Sequence, residues 1–227
     1  MSANIRSRSG APVQDVHQRR RRIAALLAPP LLIASTYVVF QMLVAWWGER
    51  WGYLGGFLFF WLFWCAGFSV WALGIDGVKA VLRDARPRLP KPQLLWLVLL
   101  AAPVVGGLMT RLLPTLPRAT IAVVTLALLI AVFNASVEEL FWRGVYIRLF
   151  PGRLIAGWLY PAALFTLWHL VPTSISGFAV DLLVGAAFLG LVYGWVAQRT
   201  GTIRYTIIAH IALNAMGLTF ALNLLGG

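Results

Sequence analysis

Two adjacent carboxylates, Glu138 and Glu139, stand near the end of a long apolar run in "ATIAVVTLALLIAVFNASVEELFWRGVYIRLF", with Arg143 just beyond them. Glu139 and Arg143 are i and i+4, so a helix puts them on one face, where they can pair. Glu138 is rotated from Glu139 by about 100°. The two carboxylates therefore point in different directions and are read as doing different work. Two histidines sit in other apolar runs: His169 closes "ALFTLWH", and His210 lies in "YTIIAHIALNAMG". Phe165 and His169 share a face at i, i+4, as do His210 and Asn214. His17, in the N-terminal tail, is read as incidental. A carboxylate beside an imidazole can hold and deprotonate a water. A second imidazole and a carboxamide can donate hydrogen bonds to a developing oxyanion. If these groups converge, they suffice to hydrolyse a peptide bond by an activated water, with no covalent intermediate.

Such residues need elements that carry them into hydrocarbon. The chain has 227 residues, 60% hydrophobic and 11% charged, more apolar surface than a soluble domain of this size can hide. Apolar windows of about 20 residues recur, each long enough to cross a core of roughly 30 Å as a helix. The predicted spans are 23–47, 54–74, 93–110, 119–138, 154–172, 179–197 and 204–223. The fold is read as all-α: a polytopic transmembrane helical bundle of about seven spans with its active-site cavity in the membrane. Residues 1–22, ending in Arg19 to Arg22, are read as a disordered basic cytoplasmic tail, and 23–227 as one transmembrane domain. No small-residue cleavage site closes the first apolar run, so it is read as a retained span. Pro29, Pro30, Pro103, Pro161 and Pro172 are expected to kink or end helices.

A net charge of +12 raises the question of nucleic acid. The cations lie in short loops between apolar spans, where they set orientation and meet anionic headgroups, so no nucleic-acid partner is expected. If seven spans alternate, 16 of the 19 Lys and Arg residues fall on one side. That side is then cytoplasmic, with the N-terminus on it and the C-terminus outside. Cys65, the single cysteine, lies in an apolar run and is read as a small packing residue. "GLVYG", Gly190 to Gly194, is read as close helix packing within the chain rather than as a dimerisation face. Along ideal helices, Glu138 lies about 15 Å from Arg148 and His210 about 9 Å from Arg204. His169 lies about 24 Å from Arg153 unless its helix begins near Gly157 or Pro161.

The motifs also carry a likeness. "EELFWR" fits EExxxR, "FTLWH" fits FxxxH and "HIALN" fits HxxxN, in that order on successive late spans. Over roughly 119–217 the chain resembles the CAAX protease and bacteriocin-processing family, also called the Abi or type II CAAX prenyl endopeptidase family. The first three spans carry no motif. The resemblance implies a glutamate-dependent intramembrane endopeptidase, needing no metal or other cofactor, that cuts a membrane protein or lipidated peptide. It implies that Glu138 and His169 activate water, that His210 and Asn214 stabilise the oxyanion, and that Glu139 and Arg143 support them, with Phe165 heading the FxxxH motif. It also implies an eight-span core where seven spans are visible. Arginine outnumbers lysine 17 to 2, a compositional hint of a bacterial gene and hence of a bacterial inner membrane.

Other readings use the same residues. Glu139 and Arg143 can be a buried ion pair fixing helix register, with both histidines satisfied in the core. The chain would then be a catalytically silent scaffold or immunity factor. Two histidines and a carboxylate can hold zinc with an open position, although HExxH is absent and the histidines lie on different helices. Intramembrane Glu, His and Arg also build proton relays in transporters. Against that, no inverted repeat is apparent and seven spans do not halve.

Overall fold

The structure, a computed structural model, describes residues 11–83, 91–177 and 180–226. Every element among the described residues is helical, which bears out the all-α reading. Among the described residues, five helices are long and apolar enough to cross a membrane: Val16–Arg83, Gln93–Thr115, Ile121–Leu149, Val180–Thr200 and Arg204–Asn223. The protein is thus an integral membrane helical bundle.

The first of these is not one straight rod. Helix α1 (Ala11–Phe59) contains Gly48 at φ 75°, ψ 169°, a backbone region that only glycine enters cheaply. The chain doubles back there. Trp64 Nε1 donates to Ser35 Oγ at 2.9 Å, and Phe40 touches both Tyr53 and Phe57. A continuous helix would hold residues 35 and 64 about 40 Å apart. The closeness of the two legs also fixes Gly52 and Gly56. A Cβ on Gly52 would come within 2.4 Å of the Val44 backbone, and one on Gly56 within 2.5 Å of the Phe40 ring. After a π-helical stretch, Phe60–Phe68, helix α2 (Ser69–Arg83) is broken again at Gly74, φ 70°. The two legs match the expected spans 23–47 and 54–74.

Residues 11–22, expected as disordered tail, are helical from Ala11. Extending an existing helix is far easier than nucleating one, and Arg22 Nε donates to the Leu149 carbonyl at 2.9 Å, anchoring this end. Residues 1–10 of the tail, and Arg86 and Arg88 of the basic loop, lie outside the described residues.

The remaining chain follows the predicted order. Helix α3 (Gln93–Gly107), a π-helical turn at Leu108–Leu112 and the short α4 (Leu113–Thr115) form one leg. Helix α5 (Ile121–Glu139) starts on a Thr120 side-chain cap to Val123 N–H, and continues through a π-helical turn, Leu140–Gly144, into α6 (Val145–Leu149). Next come a π-helical turn Ile155–Leu159, α7 (Tyr160–Trp168) and α8 (Leu170–Ser176). The last two helices are α9 (Val180–Thr200) and α10 (Arg204–Gly226). The helix bearing His169 thus starts at Leu154 rather than near Gly157 or Pro161, and it is interrupted at His169 itself. Pro172 lacks the N–H that would bond the Trp168 carbonyl, which favours the break there.

Helix α10 packs along α5, and α7 along α9. The "GLVYG" glycines serve the second contact. A Cβ on Gly190 would meet the Ala162 carbonyl oxygen at 2.9 Å, and one on Gly194 would meet Trp158 at 2.8 Å. The motif therefore lies against α7 and the turn before it, within one chain. Cys65 is fully buried in the main core, beside an aromatic layer in which Phe60 stacks on Trp168 with ring centroids 3.9 Å apart.

Candidate active site

The site is built where α5 ends, α7 breaks and α10 passes. Glu138 and Glu139 are the last apolar-flanked residues of α5, 3% and 0% exposed. The helix then widens into the π-helical turn Leu140–Gly144, which holds Arg143. Such turns recur at functional sites. As the i, i+4 spacing predicts, Arg143 Nη1 donates to Glu139 Oε1 at 2.9 Å, with both side chains almost wholly buried. Arg143 Nη2 donates to the Leu189 carbonyl of α9 at 3.1 Å. Its guanidinium also covers the Phe165 ring at 4.3 Å. The cation is thus met on three sides, as a buried charge requires.

The same carboxylate oxygen takes a second donor. His210, from α10, lies with Nδ1 2.9 Å from Glu139 Oε1. A carboxylate only accepts, so the proton of this bond resides on Nδ1, and Nε2 is left for another partner. Glu139 therefore ties α5 to α10. It is more central than a partner for Arg143 alone.

His169 enters through Phe165. Its Nδ1 is 2.8 Å from the Phe165 carbonyl oxygen. That oxygen cannot donate, so Nδ1 is protonated and the neutral ring presents a bare Nε2 lone pair. The His169 ring also lies edge-on to Phe165, with centroids 4.7 Å apart. One chain of contacts therefore runs His169, Phe165, Arg143, Glu139, His210, across all three motif helices.

Glu138 stands apart from that chain. No ion pair engages it among the described residues. It lies within electrostatic reach of Arg143, His210 and Glu139, and His169 within reach of Arg143 and His210. The Trp61 indole faces Glu138 without making a hydrogen bond from its Nε1. Asn214 is half-buried one turn beyond His210. Among the described residues no hydrogen bond joins it to the others.

Three groups were not singled out in the sequence. The Tyr193 hydroxyl is buried without a partner, and its ring lies 6.3 Å from His210. A phenol inside a small-residue motif was the available signal. Asn134 Oδ1 is likewise buried and unpartnered, and i, i+4 spacing from Glu138 pointed to it. Trp61, on the second leg, had no signal at all. Among the described residues no three His, Cys, Asp or Glu side chains gather as a metal ion would need, so the zinc donor set does not assemble.

A polar cluster drawn from several helices and sealed in an apolar bundle defines the class: a membrane-embedded protein with a buried ionisable site. Residues 120–216 match the family model for the type II CAAX prenyl endopeptidase, Rce1-like. The match makes that stretch similar to a CAAX-type intramembrane protease domain, and it contains all seven residues selected from the motifs. No curated protein and no solved structure matches the chain.

Proposed function

We propose that the protein is a glutamate-dependent intramembrane endopeptidase that cuts a membrane-associated or lipidated polypeptide in a cavity within the bilayer. What supports this best is the continuous set of contacts linking His169, Phe165, Arg143, Glu139 and His210, with Glu138 next to Glu139 on the same helix and, among the described residues, in no ion pair. In this mechanism the attacking water is held by the Glu138 carboxylate and His169 Nε2. Glu138 takes its proton as the oxygen attacks the scissile carbonyl carbon. The oxyanion accepts from His210 Nε2–H, in the imidazolium form whose Nδ1–H rests on Glu139, and from the Asn214 amide. Glu138 then returns the proton to the leaving nitrogen as the C–N bond breaks, giving a carboxylate and an amine. Glu139 and Arg143 are positioning residues, and Phe165 sets the His169 tautomer through its carbonyl.

On the positive-inside rule, the arginine-rich loops and helix ends support reading the N-terminus as cytoplasmic in a bacterial inner membrane, on a count of seven crossings. The test is purified protein in lipid nanodiscs with fluorogenic peptides, lipidated and unlipidated at the C-terminus. Mass spectrometry of membrane-protein termini in cells with and without the chain gives the natural cut. Cleavage that survives in both Glu138→Gln and His169→Ala would remove the water-activating pair.

A further inference from the structure

The two N-terminal legs, outside the Rce1-like domain, hold a feature that peptide hydrolysis does not use. Between them runs an apolar trough of about 600 Å³. Its floor is low because Ala24, Ala28 and Gly67 are small, and its walls are Leu31, Leu62 and Trp71. Next to it along the same legs lies a second cavity of about 590 Å³, lined by His17, Arg21, Gly77 and Arg148. Trp71 borders the first and its neighbour Ala72 the second. On α1, His17, Arg21, Ala24, Ala28 and Leu31 recur at helical spacing, so one stripe lines both cavities. Neither arginine has an acidic partner among the described residues, and no acid lines the second cavity. The walls are fixed rather than loose: Arg22 Nε donates to the Leu149 carbonyl at 2.9 Å and the Tyr146 hydroxyl to the Ala25 carbonyl at 2.8 Å.

We propose that this cleft binds one anionic glycerophospholipid, with its phosphate between Arg21 and Arg148 and one acyl chain laid along Ala24, Ala28 and Leu31. The dimensions fit a lipid. From Arg21 to Leu31 is about 15 Å of helix, half of a roughly 30 Å hydrocarbon core, so the trough is one leaflet deep. The charge fits too, since basic pockets between helices at the membrane surface take anionic headgroups, each arginine counting for about a fivefold change in occupancy. The bare cations and the oily trough are explained together, which neither a soluble anion nor a zwitterionic lipid achieves. The site stands whether or not the chain is a protease.

Native mass spectrometry of the full chain from mixed micelles tests it, with dioleoylphosphatidylglycerol, dioleoylphosphatidylcholine and inorganic phosphate as separate probes. The expected result is one retained phosphatidylglycerol per chain, with little phosphatidylcholine and no displacement by phosphate. Arg21→Gln and Arg148→Gln should each lower retention about fivefold, Ala24→Phe should abolish it by filling the trough, and Arg50→Gln, on an arginine outside both cavities, should leave it unchanged. Equal retention of the two lipids, displacement by phosphate alone, or an equal effect of Arg50→Gln would each overturn the proposal. Thermal unfolding confirms that each variant is folded. If the arginine variants are not, the comparison of the two lipids on the parent chain and Ala24→Phe still decide.

Discussion

The shared oxygen of Glu139 gives the sharpest test of how the site is held. Arg143→Met removes a cation whose carboxylate partner is 0% exposed, and Glu139→Leu strands a guanidinium that is itself 2% exposed. Breaking a buried pair from one side costs about 3–5 kcal/mol, because the survivor is left charged without compensation. The double variant strands neither charge and keeps the volume filled. It still leaves His210 Nδ1 without an acceptor, a loss of about 1–3 kcal/mol. The double variant should therefore be several kcal/mol less damaged than the two single losses combined. Denaturant unfolding in micelles, followed through the eleven tryptophans, measures this cycle. Activity should diverge from stability. The double variant regains stability but not turnover, with kcat reduced and KM nearly unchanged, because His210 has lost its orienting carboxylate while substrate contacts remain. Single effects that simply add, within about 0.5 kcal/mol, would refute the coupling. Full turnover in the double variant would show Glu139 to be structural only.

Three further outcomes follow from the same geometry. Glu138→Gln removes a buried acid that makes no ion pair, so turnover should drop by about 10²–10⁴ while the unfolding midpoint stays near the parent value; equal losses of stability and activity would contradict it. Gly190→Leu drives a side chain toward the Ala162 carbonyl, where even a Cβ sits at 2.9 Å, and should destabilise by about 1–3 kcal/mol, with the chain monomeric by light scattering before and after. Cleavage should be unaffected by a strong chelator and unimproved by added zinc, because no three-donor cluster is present among the described residues; inhibition reversed by zinc would refute this.

Much of this was legible because the bilayer narrows the options. Apolar runs of spanning length have only one way to satisfy their backbone, so the two N-terminal legs and the later helices fall close to their expected limits. The Glu139–Arg143 pair was legible from i, i+4 spacing, and the packing role of Gly190 and Gly194 from their size. What failed to show in the sequence depends on tertiary contact. The Arg22 anchor on Leu149 lies 127 residues away along the chain, and without it the arginine run reads as a solvated tail. His210 was paired with Asn214 by helical spacing, yet its hydrogen bond goes to Glu139, 71 residues away. The interruption at His169 was blurred for a different reason: the chain there contains no glycine, only a proline three residues on.

The contrast between the two glutamates bears most directly on why charge sits in hydrocarbon here. Glu139, Arg143 and the Leu189 carbonyl satisfy one another, and if they stood alone they would need no explanation beyond helix register. That account does not extend to Glu138. It is 3% exposed, on the same helix, and no cation pairs with it among the described residues. An aliphatic residue there would pack as well and avoid the cost of about 2.5–3.5 kcal/mol that an acid incurs at membrane depth. His169 presents the same imbalance, since its Nδ1 is committed to a backbone carbonyl and, among the described residues, no ion pair engages its ring. Architecture accounts for the groups that are paired. The two without an ion pair among the described residues, an acid and an imidazole, are the pair to which the proposed mechanism gives water activation.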